Sequence, residues 1–286
     1  MRLDILASGS GGNALVVSTP RARVLVDAGL PPRTLTRRLE ATGLAGSDLT
    51  QVCITHDHDD HATHARELVA GGLPVVATRG TLRKLGLPEL RVLRPGLEWR
   101  MAEDLWATAV ALPHDAAEPA GLVFTSERAG STGGRRVGVL TDCGRPDRRV
   151  AQAFRGCDVL VLETNHDPTM LAEGTYPRWL KRRIGGPLGH LSNQQAAELL
   201  AMIGPPWPAV IVLAHLSQSN NRPELALEAV RAAVGDGPAL ALAHQARPID
   251  PIDVDALGAR VRARPIPRQL DLFPGMDGPD TSTTAA

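Results

Sequence analysis

The chain has 286 residues, of which 43% are hydrophobic, so it can fill the core of one large domain or two small ones. Its 31 Lys and Arg balance 31 Asp and Glu. This balance excludes a global positive charge, so attraction to nucleic acid would need a local basic patch. The N-terminal segment lacks the pattern of a secretion signal, and no stretch is apolar enough to span a bilayer. We therefore expect a cytoplasmic protein that does not associate with membranes.

The three cysteines, Cys53, Cys143 and Cys157, form no Cys-x-x-Cys pair. Their number and spacing fit a reducing compartment and indicate neither a disulfide framework nor a thiolate zinc site. We interpret them as small buried residues in apolar strands.

The first half of the chain alternates short apolar runs, glycine-rich turns and helical patterns. Strands are predicted over residues 2–7, 14–18, 23–27, 51–55 and 74–77, and helices over 33–41 and 64–70.

The second half repeats this order, with strands before helices. Strands are predicted over residues 104–112, 121–126, 136–141, 158–163, 209–214 and 239–243, and helices over 179–184, 193–203 and 224–234. Two halves that are each rich in strands and finish with helices predict an α/β fold, a four-layer αβ/βα sandwich. From about Arg247 the chain is rich in proline, arginine, glycine, serine and threonine. We expect a folded domain over residues 1–246 and a flexible tail over 247–286.

The segment Thr55-His56-Asp57-His58-Asp59-Asp60-His61 stands at the end of an apolar strand. The strand end fixes the backbone, and the tight loop lets His56 and His58 point one way and Asp60 and His61 another. Imidazole and carboxylate groups suit zinc, manganese or iron, and the absence of thiolates disfavours a closed structural zinc site. The segment predicts an open catalytic site for two divalent metal ions; the alternative is a solvated loop rich in histidine.

The pattern Thr-His-x-His-x-Asp-His resembles the signature of the metallo-β-lactamase superfamily, whose fold is the αβ/βα sandwich. Its later ligands have counterparts at strand ends, namely His114 in Leu-Pro-His-Asp, Asp142 in Leu-Thr-Asp-Cys-Gly and His215 in Leu-Ala-His-Leu-Ser. The resemblance implies one metal on His56, His58 and His114, and another on Asp60, His61 and His215. It also implies that Asp142 bridges the two metals and that Asp27, in Leu-Val-Asp-Ala-Gly, supports the metal loop. Taken alone, each of these later residues would be an ordinary polar group at a strand end.

Two metals about 3.5 to 4 Å apart would hold a shared water and clamp the attacking and leaving oxygens of a phosphoryl transfer. Asp60 or Asp142 could accept the proton of that water. The superfamily also contains lactamases, thioester hydrolases and lactonases, so other motifs must indicate the substrate.

Four further segments, at residues 6–13, 163–167, 189–193 and 214–221, closely resemble those of the YycJ/WalJ/VicX-type metallohydrolases. A 5′→3′ DNA exonuclease activity is ascribed to this group, and the resemblance covers residues 1 to about 245. It implies a nuclease acting on DNA in replication or repair. The alternatives are a ribonuclease of the same fold, a thioester or lactone hydrolase, and a non-catalytic binding protein.

Several polar residues in these segments are candidates for substrate contacts. Ser8, Ser10 and Asn13 could face a phosphate or form a simple glycine-rich turn. Resemblance to tRNA-processing nucleases implies that His190 protonates the leaving oxygen and that Glu163 orients the His190 ring. His166 could contact metal or phosphate, or only satisfy its own loop.

A basic helix lies just upstream of His190. It carries Arg178, Lys181, Arg182 and Arg183, with Tyr176 and Trp179 available to stack on bases. From this region we select Arg178, Arg182 and Asn193 as substrate contacts. The alternative is a solvated helix face with Trp179 in the core.

The tail contains Gln269-Leu270-Asp271-Leu272-Phe273. This segment resembles the bacterial sliding-clamp-binding peptide, with Gln269, Leu270, Leu272 and Phe273 as the anchors. Apolar anchors flanked by prolines suit a preformed groove. The alternative is a tail that folds back on the domain.

Overall fold

The structure is a computed structural model and describes residues 1–126 and 134–257. Its strands, numbered in chain order, are β1 (Arg2–Ala7), β2 (Ala14–Ser18), β3 (Arg23–Val26), β4 (Gln51–Ile54), β5 (Val75–Thr78), β6 (Val92–Leu93), β7 (Glu98–Ala102), β8 (Leu105–Ala111), β9 (Ala120–Ser126), β10 (Arg136–Leu140), β11 (Val159–Glu163), β12 (Val210–Ala214), β13 (Ala239–Leu242) and β14 (Ile252–Asp253).

The helices lie outside these strands. They are α1 (Pro32–Ala41), α2 (Asp59–Ala62), α3 (Ala65–Ala70), α4 (Arg79–Leu85), α5 (Arg148–Phe154), α6 (Pro168–Glu173), α7 (Arg178–Ile184), α8 (Asn193–Ile203) and α9 (Pro223–Val234). In the part of the chain that the structure describes, no helix is both long and apolar enough to cross a bilayer.

The strands form two sheets of seven. The first has the order β14-β1-β2-β3-β4-β5-β6, and the second has the order β13-β12-β11-β10-β9-β8-β7. Each sheet joins an antiparallel part to a parallel part, and the change occurs at β3 in the first sheet and at β10 in the second. The carboxyl ends of parallel strands therefore meet at one edge, where loops can gather side chains.

Strand β11 shows why the sheets are buried on both faces. Val159 and Val161 face the apolar cluster between the two sheets, whereas Leu160 and Leu162 face a second cluster formed with α5, α8 and α9. Side chains alternate along a strand, so a continuous apolar run serves two layers at once. A third cluster packs the other sheet against α1, α3 and α4. The predicted four-layer αβ/βα sandwich is confirmed.

The predicted domain boundary after residue 246 falls too early. Strand β14 pairs with β1, with Leu3 opposite Ile252, and the Val254 side chain is fully buried. The short strand escaped prediction because Pro248 and several charged residues surround it. The folded part therefore continues to residue 257 at least. The clamp-like peptide at residues 269–273 lies outside the described residues.

Candidate metal centre and active site

Turns directly after the strands carry the site residues to one edge of the sandwich. Asp27 follows β3, Asp142 follows β10 and His215 follows β12, and their φ angles are +64°, +56° and +54°. Residues other than glycine rarely adopt this left-handed backbone, which costs about 1 kcal/mol or more for each residue. The backbone is therefore strained at the site, because these tight turns direct the three side chains into it.

Three histidines form the first cluster. His56 Nε2 lies 3.2 Å from His58 Nδ1, and His114 Nε2 lies 3.1 Å from the same atom. His114 Nδ1 donates to the Gly189 carbonyl at 2.8 Å, which leaves the lone pair of Nε2 facing the other rings. Ligands of a tetrahedral zinc ion, with bonds of about 2.0–2.1 Å, stand roughly 3.3 Å apart. The cluster therefore fits a divalent metal ion.

Asp60, His61 and His215 form the second cluster. Asp60 Oδ2 lies 3.1 Å from His215 Nε2 and 3.5 Å from His61 Nε2. His61 Nδ1 donates to Asp27 Oδ2 at 2.7 Å, so its Nε2 faces the cluster. Asp27 also accepts from the Thr55 amide at 2.8 Å and from the Thr55 hydroxyl. Asp27 is thus positioned to support the metal loop from behind.

Asp142 lies between the two clusters. Its Oδ2 is 3.3 Å from His56 Nε2 and 2.5 Å from His61 Nε2, so one carboxylate oxygen adjoins a histidine of each cluster. Burial alone would raise the pKa of Asp142, but His215 and His61 outweigh burial and hold the pKa well below its ordinary value. The carboxylate is therefore anionic, as a bridging ligand must be. All seven predicted metal ligands meet at this site.

The histidines differ in charge before any metal binds, because Asp142 helps to outweigh burial and raises the pKa of His61 and of His215. Burial, together with the neighbouring His61, lowers the pKa of His56 well below 6.5. The ring is therefore neutral at physiological pH, and neutral imidazole is the form that binds metal. The donor set of imidazoles and carboxylates without thiolates suits zinc, manganese or iron alike.

Glu163 and His190 form a hydrogen-bonded pair beside the clusters. Glu163 Oε2 accepts from the backbone amides of Cys143 and Leu191, and Oε1 lies 2.7 Å from His190 Nδ1. Burial lowers the pKa of His190, but the carboxylates of Glu163 and Asp142 outweigh burial and raise it well above 6.5. His190 is thus a protonated imidazole held in place by a fully buried carboxylate.

Three predicted substrate contacts are corrected by the structure. The Ser8 hydroxyl accepts from the backbone amide of His215 at 2.8 Å. Asn13 bonds to Gly9, and its Nδ2 lies 3.0 Å from His61 Nε2. Asn193 exchanges hydrogen bonds with Asn221. These side chains are buried and engaged within the protein, so they brace the site and do not face a phosphate.

An open pocket of about 320 Å³ lies over the clusters. Ser10, which the sequence offers as a candidate substrate contact, lines it, and so does Tyr176. The basic residue at its wall is Arg183, whose Nε donates to Asp115 Oδ2 at 2.7 Å. Arg178 and Arg182 do not line this pocket. On this basic helix, Arg183 faces the metal pocket and the predicted contacts Arg178 and Arg182 do not, because helix phase decides which side chain turns towards it.

Sequence analysis did not predict two polar residues near the site, and it left the positions of Trp179 and His166 open. Asn165 donates to the His215 carbonyl at 2.9 Å and was not predicted as a site residue, although it lies within the segment 163–167 that resembles the YycJ/WalJ/VicX-type proteins. Asp115 was missed too, although it follows His114 directly. Trp179 is 63% exposed and therefore not part of the core. His166 joins neither metal cluster and faces a separate pocket.

Comparison with known proteins places this geometry in a family. The family model of the β-lactamase superfamily domain matches residues 22–216. The chain belongs to the metallo-β-lactamase superfamily. Within this superfamily, it is 32% identical over 233 residues to exodeoxyribonuclease YycJ of Bacillus anthracis, and the matched region covers 79% of this chain and 86% of that protein. Exodeoxyribonuclease WalJ of Streptococcus pneumoniae D39 is 32% identical over 236 residues, covering 79% of this chain and 85% of WalJ. The chain is thus a metallo-β-lactamase hydrolase of the YycJ/WalJ type.

Solved structures share the metallo-β-lactamase fold with this chain. Zinc-bound PqqB from Methylobacterium extorquens has a TM-score of 0.61 at 18% identity and covers 87% of this chain and 100% of its own. The short form of human tRNase Z has a TM-score of 0.58 at 18% identity and covers 87% of this chain and 99% of its own. At this level of identity, the likeness concerns the fold alone.

Proposed function

We propose that this chain is a dinuclear-metal phosphodiesterase that degrades DNA as an exonuclease in replication or repair. The observation that carries the proposal is the position of Asp142. Its Oδ2 atom lies beside one histidine from each cluster, and an open pocket lies over the site. The names of the relatives YycJ and WalJ support DNA as the substrate. The 5′→3′ direction follows from resemblance to that group.

The proposed ligands divide as the clusters do. His56, His58 and His114 would hold one divalent ion, Asp60, His61 and His215 would hold the other, and Asp142 would contact both. The ions are zinc or manganese, or iron. When bound, such a pair supplies a nucleophilic hydroxide at neutral pH and stabilises the charge that develops on the phosphate.

Protein groups supply the proton transfers. Asp60 or Asp142 can accept the proton from the attacking water, because both carboxylates border the pocket. His190 lies on the same pocket with its proton-bearing ring oriented by Glu163. A protonated His190 can therefore donate to the leaving oxygen of the cleaved diester.

Arg183 is the proposed phosphate-binding residue. Among the described residues that line the metal pocket, Arg183 is the one side chain with a permanent positive charge. Its bond to Asp115 restrains the guanidinium at the pocket wall and leaves its other N–H groups for phosphate oxygens. Ser10 lines the same pocket and adds a neutral hydroxyl.

The proposal is tested by incubating metal-loaded protein with end-labelled duplex DNA, single-stranded DNA, RNA and a thioester. We expect release of mononucleotides from a DNA end, and no release by the His58→Ala variant. Preferential cleavage of RNA would favour a ribonuclease, and preferential cleavage of the thioester would favour a thioester hydrolase. Cleavage that persists in His58→Ala would reveal a contaminating nuclease.

We further propose that Gln269, Leu270, Leu272 and Phe273 bind the bacterial sliding clamp, which would recruit this cytoplasmic nuclease to replicating DNA. The support is the resemblance of this segment to clamp-binding peptides and its apolar anchors between prolines. Deletion of residues 266–286, or the double variant Leu272→Ala with Phe273→Ala, should abolish binding to purified clamp. Met276→Ala, outside the motif, serves as the control. Unchanged affinity in the deletion would refute this interaction.

A further inference from the structure

We propose that a second pocket, between α7 and α8, binds a backbone phosphate of the substrate strand beyond the cleaved bond. This α7–α8 pocket has a volume of about 530 Å³, and His166, Leu171, Lys181, Arg182, Ser192 and Gln195 contribute to its lining. The proposal rests on the proposed nuclease function and adds a substrate contact to it.

The α7–α8 pocket adjoins the metal pocket through shared elements. Asn165 lines the metal pocket and the next residue, His166, lines the α7–α8 pocket. Helix α7 likewise turns Arg183 towards the metal pocket and Arg182 towards the other. A strand that leaves the metals along α7 therefore meets the α7–α8 pocket next.

His166 is the most unusual group in this pocket. The residue is 3% exposed, and its Nδ1 is buried without a hydrogen-bond partner in the described part of the chain. Burial lowers the pKa of His166 to about 4, so the ring is neutral at physiological pH and carries one N–H. An N–H buried at Nδ1 without an acceptor would be costly, so the proton belongs on Nε2. Because His166 lines the pocket, we assign its Nε2–H as the donor that it offers to a ligand there.

The surroundings of His166 favour an anion. Lys181 and Arg182 line the pocket and none of its described lining residues is acidic. The nearest carboxylate along the chain, Asp167, is turned away to cap α6, where it accepts from the Met170 amide at 2.9 Å. The N-terminal end of α8, capped by Ser192, adds the positive end of a helix dipole.

The chemistry selects a phosphate and not a base. Bases stack best on aromatic side chains, and the described lining includes none other than His166, although Pro168, Leu171 and Ala172 contribute apolar surface. A donor, two cations and a helix N-terminus together match the oxygens of a phosphodiester anion. Such a contact would strengthen the binding of longer strands and fix their direction through the site.

The test compares a labelled ten-nucleotide DNA strand with thymidine 5′-p-nitrophenyl phosphate, which is too small to reach the second pocket. We expect His166→Phe and Arg182→Ala to lower kcat/KM for the strand roughly tenfold more than for the small diester. His166→Gln, which keeps a donor near the Nε2 position, should restore most of this loss. Arg149→Ala, on α5 and outside both pockets, is the matched control.

A binding measurement separates this proposal from the nuclease proposal. The fluorescence anisotropy of the labelled strand with metal-free protein should show about tenfold weaker binding for His166→Phe and Arg182→Ala. Replacing single phosphates by neutral methylphosphonate should weaken binding to the native protein at one position, and this penalty should vanish in both variants. Equal losses on both substrates, or unchanged binding of the strand, would overturn the second site. A native protein that cleaves neither substrate would instead refute the nuclease function.

Discussion

His61 donates a 2.7 Å hydrogen bond from Nδ1 to Oδ2 of Asp27, while Oδ1 of the same carboxylate accepts from the backbone amide of Thr55. One buried aspartate therefore fixes both the direction of a proposed metal ligand and the start of the loop that carries it. Outer carboxylates of this kind orient a metal-binding histidine and increase its basicity.

We predict that Asp27→Asn weakens metal binding by about 10- to 100-fold. Asparagine tolerates the left-handed backbone at this position, but it offers a single acceptor oxygen where the carboxylate offers two. The measurement is competition with a calibrated chelator. Asp104→Asn is the control, because Asp104 also supports a loop, at Thr19, away from the site. Equal metal affinity for Asp27→Asn and the native protein would contradict this role.

We predict that Glu163→Gln moves the alkaline limb of the kcat profile to lower pH. His190 acts as an acid when protonated, and Glu163 and Asp142 raise its pKa against the opposing effect of burial. Losing one negative charge lowers that pKa, so the ring deprotonates at lower pH and activity falls earlier as pH rises. The measurement is kcat against pH for a DNA strand.

A diester with a p-nitrophenolate leaving group provides the control for this prediction. This leaving group needs no proton, so Glu163→Gln should affect its hydrolysis far less than that of DNA. An alkaline limb that stays in place on DNA would show that His190 does not protonate the leaving oxygen.

We predict that truncation after residue 246 destabilises the fold, whereas truncation after residue 257 does not. The shorter chain loses β14 and the fully buried Val254, as well as the ion pair between the N-terminal ammonium group and Asp255. Burial of a valine contributes about 1.5–3 kcal/mol, which corresponds to a decrease in Tm of about 3–6 °C for a folded part of this size. Thermal unfolding of both truncated chains measures the difference. Equal Tm values would show that β14 adds no stability.

We predict that all three cysteines resist thiol reagents in the native protein. Burial raises the pKa of Cys157 to about 11 and that of Cys143 to about 12, and raises the pKa of Cys53 well above its ordinary value. At pH 8 roughly one thiol in a thousand or fewer is then the reactive thiolate. Ellman's reagent should detect no rapid reaction in buffer and three thiols in guanidinium. Rapid labelling of one native thiol would contradict this burial.

The fold could be predicted from sequence because its signals are local, whereas the full set of seven metal-site residues was implied by resemblance to the metallo-β-lactamase superfamily. Apolar runs define β4, β10 and β12, and His56, Asp142 and His215 each follow one of these runs within two positions. By contrast, β14 has two residues and owes its place to pairing with β1, which no local pattern reveals. Tertiary pairing of this kind determines a strand irrespective of its own propensity.

Substrate contacts were harder to predict because residue type does not indicate direction. Ser8 and Asn193 have the chemistry of phosphate ligands, yet their side chains are buried and form hydrogen bonds within the protein. Arg182 and Arg183 are adjacent in sequence, yet they face different pockets from α7. A helix rotates by about 100° per residue, so an error of one position changes the pocket.

The most direct test of the central claim, that two clusters sharing Asp142 form one dinuclear centre, is metal content. After saturation with zinc or manganese and dialysis, elemental analysis should find two ions per native chain. The Asp142→Asn variant, which preserves the left-handed backbone, should retain fewer. A native protein that takes up no metal, or an Asp142→Asn variant that keeps two ions with unchanged affinity, would contradict the account.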